Sequence, residues 1–263
     1  MNINIRGRLF DLSKPKVMGI LNLTPDSFYD GGVHNEINKI EDHVNKMVND
    51  GMDILDIGGY SSKPGAKNIS VDEELSRVIP ILKHIRKIFP ELVISIDTFR
   101  SKIASASLNE GADIINDISG GTLDKNMMSI VAKNNCPYIL MHMQGNPQNM
   151  QNDPSYENVT LEIIQYLAQR IKIAHDNNIV DIIVDPGFGF GKTLEHNFEI
   201  LNNLEKFNVL DTPILAGFSR KSMIYKTLKT SSEKALNGTS SLNTIALTKG
   251  AKILRVHDVR SEE

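Results

Sequence analysis

Short apolar runs alternate with segments of helical hydrophobic spacing along nearly the whole chain of 263 residues. Runs this short are typical of strands that are buried on both faces, as in a parallel sheet covered by helices. We predict strands at residues 16–22, 53–57, 92–97, 113–116, 138–142, 182–185, 214–217 and 253–257. We predict helices at residues 36–49, 72–89, 101–109, 126–133, 156–177, 194–204 and 233–249, with a kink or a break at Pro80.

Strands that alternate with helices form either an open doubly wound sheet or a closed barrel. Eight units in a chain of about 250 residues favour the barrel, so we predict an α/β protein with a (β/α)8 TIM barrel. Residues 3–12 alternate around Arg6-Gly7 and predict a short N-terminal hairpin. No Pro/Gly/Ser-rich linker interrupts the series, and we expect a single domain over residues 1–263.

The composition excludes several classes of function. The net charge of -3 gives no electrostatic footprint for nucleic acid, and no partner of that kind is expected. No apolar run reaches membrane-spanning length and the N-terminus does not resemble a signal peptide, which predicts no membrane association and a cytoplasmic protein. The single cysteine, Cys136, fits a reducing compartment and is expected to be a buried structural thiol.

Nearly every predicted strand ends in a polar residue. In a barrel of this kind the carboxyl ends of all strands meet on one face, where such enzymes place their active sites. Any single residue of this set is as easily explained as the N-cap of the following helix, but that explanation is improbable for all eight positions. The set comprises Asn22, Asp56, Asp97, Asn116 with Asp117, His142, Asp185, Ser219 to Lys221, and Arg255 with His257.

Two groups within this set suggest different ligands. Asp97, Asn116 and Asp185 would bind a planar heterocycle with an amidine-like N–H edge, and Lys221 would reach a carbonyl or nitrogen of its ring. A metal triad is the alternative, but no histidine or cysteine stands at ligand spacing with these residues. Arg255 and His257 alternate on the last strand beside Asn22 on the first, which suggests a diphosphate pocket with Mg²⁺ bound by oxygen.

Two loops carry further information. Phe28 and Tyr29 stand on a short polar loop after the first barrel strand. Large apolar rings on such a loop are unfavourably exposed to water unless they cover a binding partner. Residues 185–193 are rich in glycine but match neither a phosphate loop, because Pro186 replaces a required glycine, nor a dinucleotide loop, because Lys192 replaces another. What remains is a loop whose backbone can approach a flat ligand closely, with Phe188 and Phe190 on it.

Eight motifs occur in order from the first strand to the last. They read MGILNLTPDSFYDGG, LDIGGYSSKPGA, ISIDTFRS, INDISGG, LMHMQGNPQNMQ, VDPGFGFGKT, GFSRKSMI and ILRVHDV. Together they resemble the dihydropteroate synthase family of folate biosynthesis, a pterin-binding TIM-barrel family. The resemblance implies an enzyme that joins (7,8-dihydropterin-6-yl)methyl diphosphate to 4-aminobenzoate with Mg²⁺, by an SN1-like substitution that releases diphosphate. In this family sulfonamides compete for the aminobenzoate site.

The resemblance also implies a role for each matching residue. The pterin site is expected to comprise Asp97, Asn116, Met141, Asp185, Gly217 and Lys221. The diphosphate site is expected to comprise Asn22, Lys63, Arg255 and His257, with Asn22 as the metal ligand and Lys221, Arg255 and His257 acting in catalysis. The 4-aminobenzoate site is expected to comprise Phe28, Ser61, Ser62, Pro64, Phe190 and Ser222.

The chain departs from the family pattern at two places. Ser61-Ser62-Lys63 stands where the family has Ser-Thr-Arg, and a lysine lacks the bidentate fork of an arginine. The chain ends at Glu263, where the family continues into an eighth helix, so that helix is expected to be missing here. The family forms homodimers through helices of this region, and a homodimer is therefore expected.

Two other functions fit part of the pattern. A pterin-dependent methyltransferase domain shares the Asp/Asn set but does not need the NLTPDS motif or Arg255 with His257. A non-catalytic pterin binder needs only the Asp/Asn set, and turnover separates it from a synthase.

Overall fold

A sheet of eight parallel strands closes on itself to form a barrel. The computed structural model describes residues 1–23, 33–61, 68–151 and 153–262, with the backbone alone for residues 33–36, 261 and 262. A bridge between Val184 and Ile214 joins the two outer strands, and the Val184 amide donates to the Pro213 carbonyl at 2.9 Å. The barrel is therefore closed, and the predicted (β/α)8 fold is confirmed.

The elements follow one another as predicted. An antiparallel hairpin of β1 (Asn2–Ile5) and β2 (Arg8–Asp11) precedes the barrel. The barrel strands are β3 (Lys16–Asn22), β4 (Ile54–Gly58), β5 (Val93–Asp97), β6 (Ile114–Asp117), β7 (Tyr138–Met141), β8 (Ile182–Asp185), β9 (Leu215–Ala216) and β10 (Ile253–Val256).

The helices lie between the barrel strands. They are α1 (Val33–Asn49), α2 (Val71–Ile88), α3 (Ser101–Asn109), α4 (Met127–Asn134), α5 (Val159–Asp176), α6 (Leu194–Asn202), α7 (Ser222–Tyr225) and α8 (Leu236–Thr248). Three 3-10 segments complete the described elements, at Leu204–Leu210, Ser232–Lys234 and Val259–Glu262. None of the described helices is long and apolar enough to cross a membrane.

The lower part of the barrel interior is an apolar layer. Because successive strand residues face opposite sides, every second residue points inward. The inward residues at the amino ends of the strands form one buried cluster with three hairpin residues, Ile3, Ile5 and Leu12. The hairpin therefore closes the amino end of the barrel. The strand members of this cluster are Met18, Ile54, Ile114, Ile139, Ile183, Leu215 and Ile253.

A buried ion pair joins the hairpin to this end of the barrel. Arg6 in the hairpin turn and Arg86 in α2 both bind the buried carboxylate of Asp113, with Arg86 Nη2 at 2.7 Å from Oδ2. The Ile94 amide donates to the same oxygen at 2.8 Å. The hairpin is thus held by charge as well as by apolar contact.

Two helical predictions need correction. α2 continues through Pro80, so the predicted break is wrong. Pro80 is exposed, which lets water hydrate the Ser76 carbonyl that loses its intrahelical partner, while Val78 and Leu82 hold the helix against the barrel. The predicted helix at 233–249 is divided into a 3-10 turn and α8. Among the described residues a 3-10 turn, Val259–Glu262, follows β10.

Replacement of Ile183 by Ala should lower the free energy of unfolding by about 2–5 kcal/mol, because it opens a cavity in the apolar layer. Urea unfolding followed by circular dichroism measures the change. Val180→Ala is the control, because Val180 is 79% exposed and its truncation should change stability by less than about 0.5 kcal/mol. Equal effects of the two substitutions would contradict the assignment of Ile183 to the core.

Candidate active site

Polar side chains replace apolar ones in the upper layer of the barrel interior. The inward positions that are two residues beyond Ile54, Ile114, Ile183 and Ile253 are Asp56, Asn116, Asp185 and Arg255. The same alternation brings the predicted strand-end residues to the carboxyl end of the barrel. Parallel register places Gly58 beside Asp97 and Asp97 beside Asn116. Closure of the barrel then brings Arg255 opposite them.

Arg255 lies at the centre of a hydrogen-bond network that joins four strands. Its Nε donates to Asp56 Oδ2 at 2.7 Å and its Nη2 donates to Asp97 Oδ2 at 2.7 Å. Asn116 Nδ2 donates to the same Asp56 oxygen at 3.0 Å. Asp56 is fully buried, and its Oδ1 has no hydrogen-bond partner among the described residues. The network fixes the guanidinium and leaves the Asn116 carbonyl oxygen directed away from Asp56.

The network raises the pKa of both Asp97 and Arg255, for different reasons. Burial raises the pKa of Asp97 to about 7, against the attraction of Arg255, and Asp56, Glu74 and Asp117 raise it further. Burial alone would lower the pKa of Arg255, but the carboxylates of Asp56 and Asp97 outweigh it and raise that pKa. Asp97 therefore exchanges its proton near neutral pH while Arg255 remains charged.

Asp185 and Lys221 form the other side of the layer. The Gly187 amide donates to Asp185 Oδ1 at 2.7 Å, and burial raises the pKa of Asp185 against the attraction of Lys221. Lys221 Nζ donates to the Phe188 carbonyl at 2.6 Å and lies 4.7 Å from the centre of the Phe190 ring. Burial lowers the pKa of Lys221 to about 8, because nearby Asp185 offsets only part of the desolvation.

A glycine separates Asp185 from Arg255. A Cβ atom built on Gly217 would lie 3.7 Å from Arg255 Cβ and 3.9 Å from Asp185 Oδ2, so it would fill the gap between the two side chains. On the adjacent side, Met141 is buried in a cluster with Ile118, against which Phe190 packs. The layer thus offers charged edges on two sides and apolar surface on a third, as a flat polar heterocycle requires.

The glycine-rich loop between β8 and α6 is held by Lys192, a residue that we did not predict to act at the site. Its Nζ donates to the carbonyls of Gly187 at 2.8 Å and Phe190 at 2.9 Å and lies 3.0 Å from His142 Nδ1. Burial lowers the pKa of Lys192 well below its ordinary value, although Asp185 opposes the shift. A Cβ at Gly187, where φ is 73°, would lie 1.9 Å from the His142 carbonyl. Only glycine allows this approach.

His257 and Asn22 occupy the rim of the layer. His257 is exposed, its Nδ1 lies 3.1 Å from Ser219 Oγ, and its amide donates to the same oxygen at 3.2 Å. Asn22 ends β3 beside Gly58, where a built Cβ would lie 3.6 Å from Asn22 Oδ1 and 3.8 Å from Asp97 Oδ2. The two oxygens therefore flank one glycine at the mouth of the barrel.

Most of the expected site residues that the structure describes lie around this layer. Ser61 lies three residues beyond the end of β4, and Ser222 begins α7 directly after Lys221. Four expected residues and the first loop, residues 24–32, lie outside the described residues; the four are Phe28, Ser62, Lys63 and Pro64. Other polar strand ends have local roles, because Asp117 accepts from the Ser119 and Gly121 amides and His142 accompanies Lys192.

Asp56 corrects one feature of the sequence prediction. We placed it at the end of its strand, but it lies within β4, one inward position below the rim. The signal was present in the alternation of Ile54, Asp56 and Gly58, which assigns all three to the same face. Within the described ranges, no group of three or more His, Cys, Asp or Glu side chains could hold a metal ion.

The chain is similar to known proteins over nearly its whole length. The family described as "Pterin binding enzyme" matches residues 18–257. The dihydropteroate synthase of Escherichia coli K12 is 44% identical over 262 residues, which cover 99% of this chain and 92% of that protein. The chain belongs to the dihydropteroate synthase family of pterin-binding enzymes. The dihydropteroate synthase of Clostridium beijerinckii is 45% identical over 246 residues, or 92% of this chain and 88% of that protein.

Solved structures of dihydropteroate synthases have the same fold. The Yersinia pestis enzyme in complex with a sulfonamide drug superposes with a TM-score of 0.93 at 39% identity, covering all of this chain and 95% of the other. The Thermus thermophilus enzyme in complex with 4-aminobenzoate superposes with a TM-score of 0.89 at 32% identity, covering all of this chain and 96% of the other. The fold and the family of this chain are therefore established together.

Replacement of Asp56 by Ala should lower the free energy of unfolding by about 3–5 kcal/mol, because it removes one partner of a buried ion pair. Chemical denaturation measures the loss. Asp176→Ala provides the control, since the Lys172–Asp176 pair is exposed and should contribute less than about 1 kcal/mol. A similar small effect at Asp56 would show that Arg255 is fully satisfied by Asp97 alone.

Proposed function

We propose that this protein is a transferase that joins (7,8-dihydropterin-6-yl)methyl diphosphate to 4-aminobenzoate, forming 7,8-dihydropteroate and diphosphate in tetrahydrofolate biosynthesis. The observation that carries the proposal is the set of Asp97, Asn116 and Asp185 at the carboxyl ends of three barrel strands, in a chain 44% identical to a dihydropteroate synthase. A methyltransferase would not need the NLTPDS motif that begins at Asn22 or the pair of Arg255 and His257, and their presence in this chain supports the synthase.

The polar layer provides the contacts that a pterin ring requires. The carboxylates of Asp97 and Asp185 accept hydrogen bonds from the N–H groups of the pyrimidine edge, and the Asn116 amide contributes the third polar contact. Lys221 donates to a carbonyl or nitrogen of the ring. Met141 and Gly217 leave apolar and open surface for its faces. Each of these positions is an expectation of the family resemblance that the geometry supports.

The diphosphate lies at the rim in this proposal. Asn22, Arg255, His257 and Lys63 are its expected contacts, and the positive charge of Arg255 is held in place by Asp56 and Asp97. The amide oxygen of Asn22 fits Mg²⁺, because it is a hard ligand and lies beside Gly58 at the mouth of the barrel. Bound Mg²⁺ would neutralise charge on the diphosphate, whose own oxygens would complete the coordination.

The chemistry follows from the charges of the layer. The bond between the pterin methylene carbon and the diphosphate oxygen breaks, and the electron pair leaves with the diphosphate beside Arg255 and His257. The carbocation is shared with the electron-rich pterin ring, and the carboxylates of Asp97 and Asp185 favour its positive charge. The amine of 4-aminobenzoate, which is unprotonated at neutral pH, then bonds to the methylene carbon, and the proton released from its nitrogen passes to water. No protein base is required, and the substitution is SN1-like.

The aminobenzoate lies above the pterin in this proposal. Phe190 and Ser222 border the polar layer from the glycine-rich loop and from the start of α7. Ser61 stands at the opposite side, and the remaining expected contacts, Phe28, Ser62 and Pro64, lie outside the described residues. Sulfonamides would compete with aminobenzoate here, as the ligand of the Yersinia pestis structure suggests.

The proposal includes an assembly and a location. We expect a homodimer, and exposed apolar side chains near the last helices support it, with Leu228 54% and Ile245 40% exposed. Sedimentation velocity tests the dimer. We also expect the enzyme to act in the cytoplasm, where the reduced state of Cys136 is maintained.

Release of diphosphate from the pterin substrate, with Mg²⁺ and with or without 4-aminobenzoate, tests the function. We expect release to depend on aminobenzoate and to match the amount of dihydropteroate formed. Binding of the pterin without product formation would instead identify a non-catalytic binder. Absence of both would refute the pterin site.

Pterin binding should weaken below pH 7. The ionised Asp97 accepts the ligand N–H, and a carboxyl with a pKa of about 7 takes up a proton as the pH falls through that value. The bound ligand must displace this proton, so affinity should fall by up to about tenfold per pH unit well below the pKa. Calorimetry with 6-hydroxymethylpterin avoids phosphate titration. Asp97→Asn should flatten the profile, and an affinity in the unsubstituted protein that is constant from pH 5.5 to 7 would contradict this role.

A further inference from the structure

Lys192 joins the loops that follow two neighbouring barrel strands, β7 and β8. Its Nζ donates to the carbonyls of Gly187 and Phe190 in its own loop, and it lies 3.0 Å from Nδ1 and 3.3 Å from the carbonyl oxygen of His142, which directly follows β7. Lys192 is 4% exposed and His142 is 7% exposed. Burial lowers the pKa of His142 to about 2, so its ring is neutral and one ring nitrogen can accept a hydrogen bond. One buried donor therefore serves both loops.

The Phe190 carbonyl depends on Lys192 more than the rest of its loop does. The Gly187 carbonyl also accepts from the Phe190 amide at 3.1 Å, and the Gly189 amide donates to Asn197 Oδ1 at 2.7 Å. For the Phe190 carbonyl, Lys192 is the one hydrogen-bond donor within the part of the chain that the structure describes. Loss of Lys192 would thus release the backbone chiefly at Phe190.

The Phe190 ring lies where the two expected substrate sites meet. Its centre is 4.7 Å from Lys221 Nζ, which is expected to contact the pterin, and it packs against the buried cluster that contains Met141. Phe190 itself is expected to contact 4-aminobenzoate. Because the ring extends from backbone that Lys192 holds, a shift of that backbone would move the ring relative to both substrates.

We propose that Lys192 is a positioning residue for 4-aminobenzoate, which fixes the backbone of Phe190 and thereby the place of its ring above the pterin site. This inference rests on the proposed function, because Phe190 is one of the expected aminobenzoate contacts. Lys192 is buried beneath the loop, so it acts through Phe190 and not by touching a substrate.

The pterin contacts should change less than the aminobenzoate site when Lys192 is lost. Asp185 accepts from the Gly187 amide at 2.7 Å, a bond between residues two apart that needs no lysine. Lys221 Nζ donates to the carbonyl of Phe188, whose ring is fully buried. Both contacts remain in place without Lys192, and the effect should therefore fall mainly on the second substrate.

Lys192→Met tests the proposal, because methionine retains most of the apolar stem and removes the donor. Arg86→Met is the control, since Arg86 also donates to loop carbonyls, those of Gly111 at 2.7 Å and Leu92 at 2.6 Å, but at the amino end of the barrel. The Michaelis constant for 4-aminobenzoate should rise about tenfold in Lys192→Met, while that for the pterin diphosphate changes less than about threefold. Arg86→Met should leave both constants within about twofold. Equal rises of both constants in Lys192→Met, or the same rise in Arg86→Met, would overturn the proposal.

A double-mutant cycle tests whether Lys192 acts through Phe190. In a Phe190→Leu background, Lys192→Met should raise the aminobenzoate constant by less than about twofold more, because the ring that it positions is absent. A further tenfold rise in that background would show that Lys192 acts by another route. If Lys192→Met does not fold, Lys192→Gln replaces it in the same cycle; its amide donor stands on a side chain one atom shorter, and the expected rise is about threefold.

Hydrogen exchange of the Phe190 amide, resolved by NMR, gives a readout that does not depend on turnover. This amide should exchange about tenfold faster in Lys192→Met than in the unsubstituted protein or in Arg86→Met, whereas the Gly189 amide, which is bonded to Asn197, should keep its rate. If the unsubstituted protein forms no dihydropteroate but this difference appears, the proposed function fails and the positioning of Phe190 stands. If dihydropteroate forms and the Phe190 amide exchanges at an unchanged rate, the role of Lys192 fails alone.

Discussion

The contact of Arg255 with Asp56 and Asp97 is the interaction on which the rest of the site depends. A guanidinium inside a barrel would cost several kcal/mol of desolvation if it lacked compensating charge. Two carboxylates on neighbouring strands supply that charge, and Asn116 on a third strand shares one of them. The network depends on the pairing that closes the chain of barrel strands, between the last strand β10 and the first strand β3, because β3 in turn pairs with β4 and β4 with β5. Fold and site are consequences of the same closure.

The net charge around this interaction is nearly balanced. Asp56, Asp97 and Asp185 face Arg255 and Lys221, with Lys192 beneath the glycine-rich loop. Burial raises the pKa of Asp97 and Asp185 and lowers that of Lys221 and Lys192, so each charge is held at the expense of its solvation. A pterin ring that offers hydrogen bonds to these groups replaces lost water, and a cation formed on it faces carboxylates that are already in place.

The sequence predicted the barrel and most of the polar layer because both follow from local patterns. Short apolar runs identify buried strands, and their polar ends identify the face of the site. The depth of Asp56 could be recognised only from its shared face with Ile54 and Gly58. Lys192 was not predictable, since its partners are loop carbonyls. Pro80 did not break its helix, because packing of the opposite face outweighs one missing hydrogen bond.

The hairpin beneath the barrel constrains how molecules enter and leave. Ile3, Ile5 and Leu12 seal the amino end, and the Asp113 ion pair holds the seal in place. Ligands can then enter and leave only through the opposite, carboxyl end of the barrel. A molecule seated in the polar layer has to arrive before whatever is placed above it and depart after it. The order in which the two substrates bind is thus a consequence of the closed amino end of the barrel, which lies far from the reacting atoms.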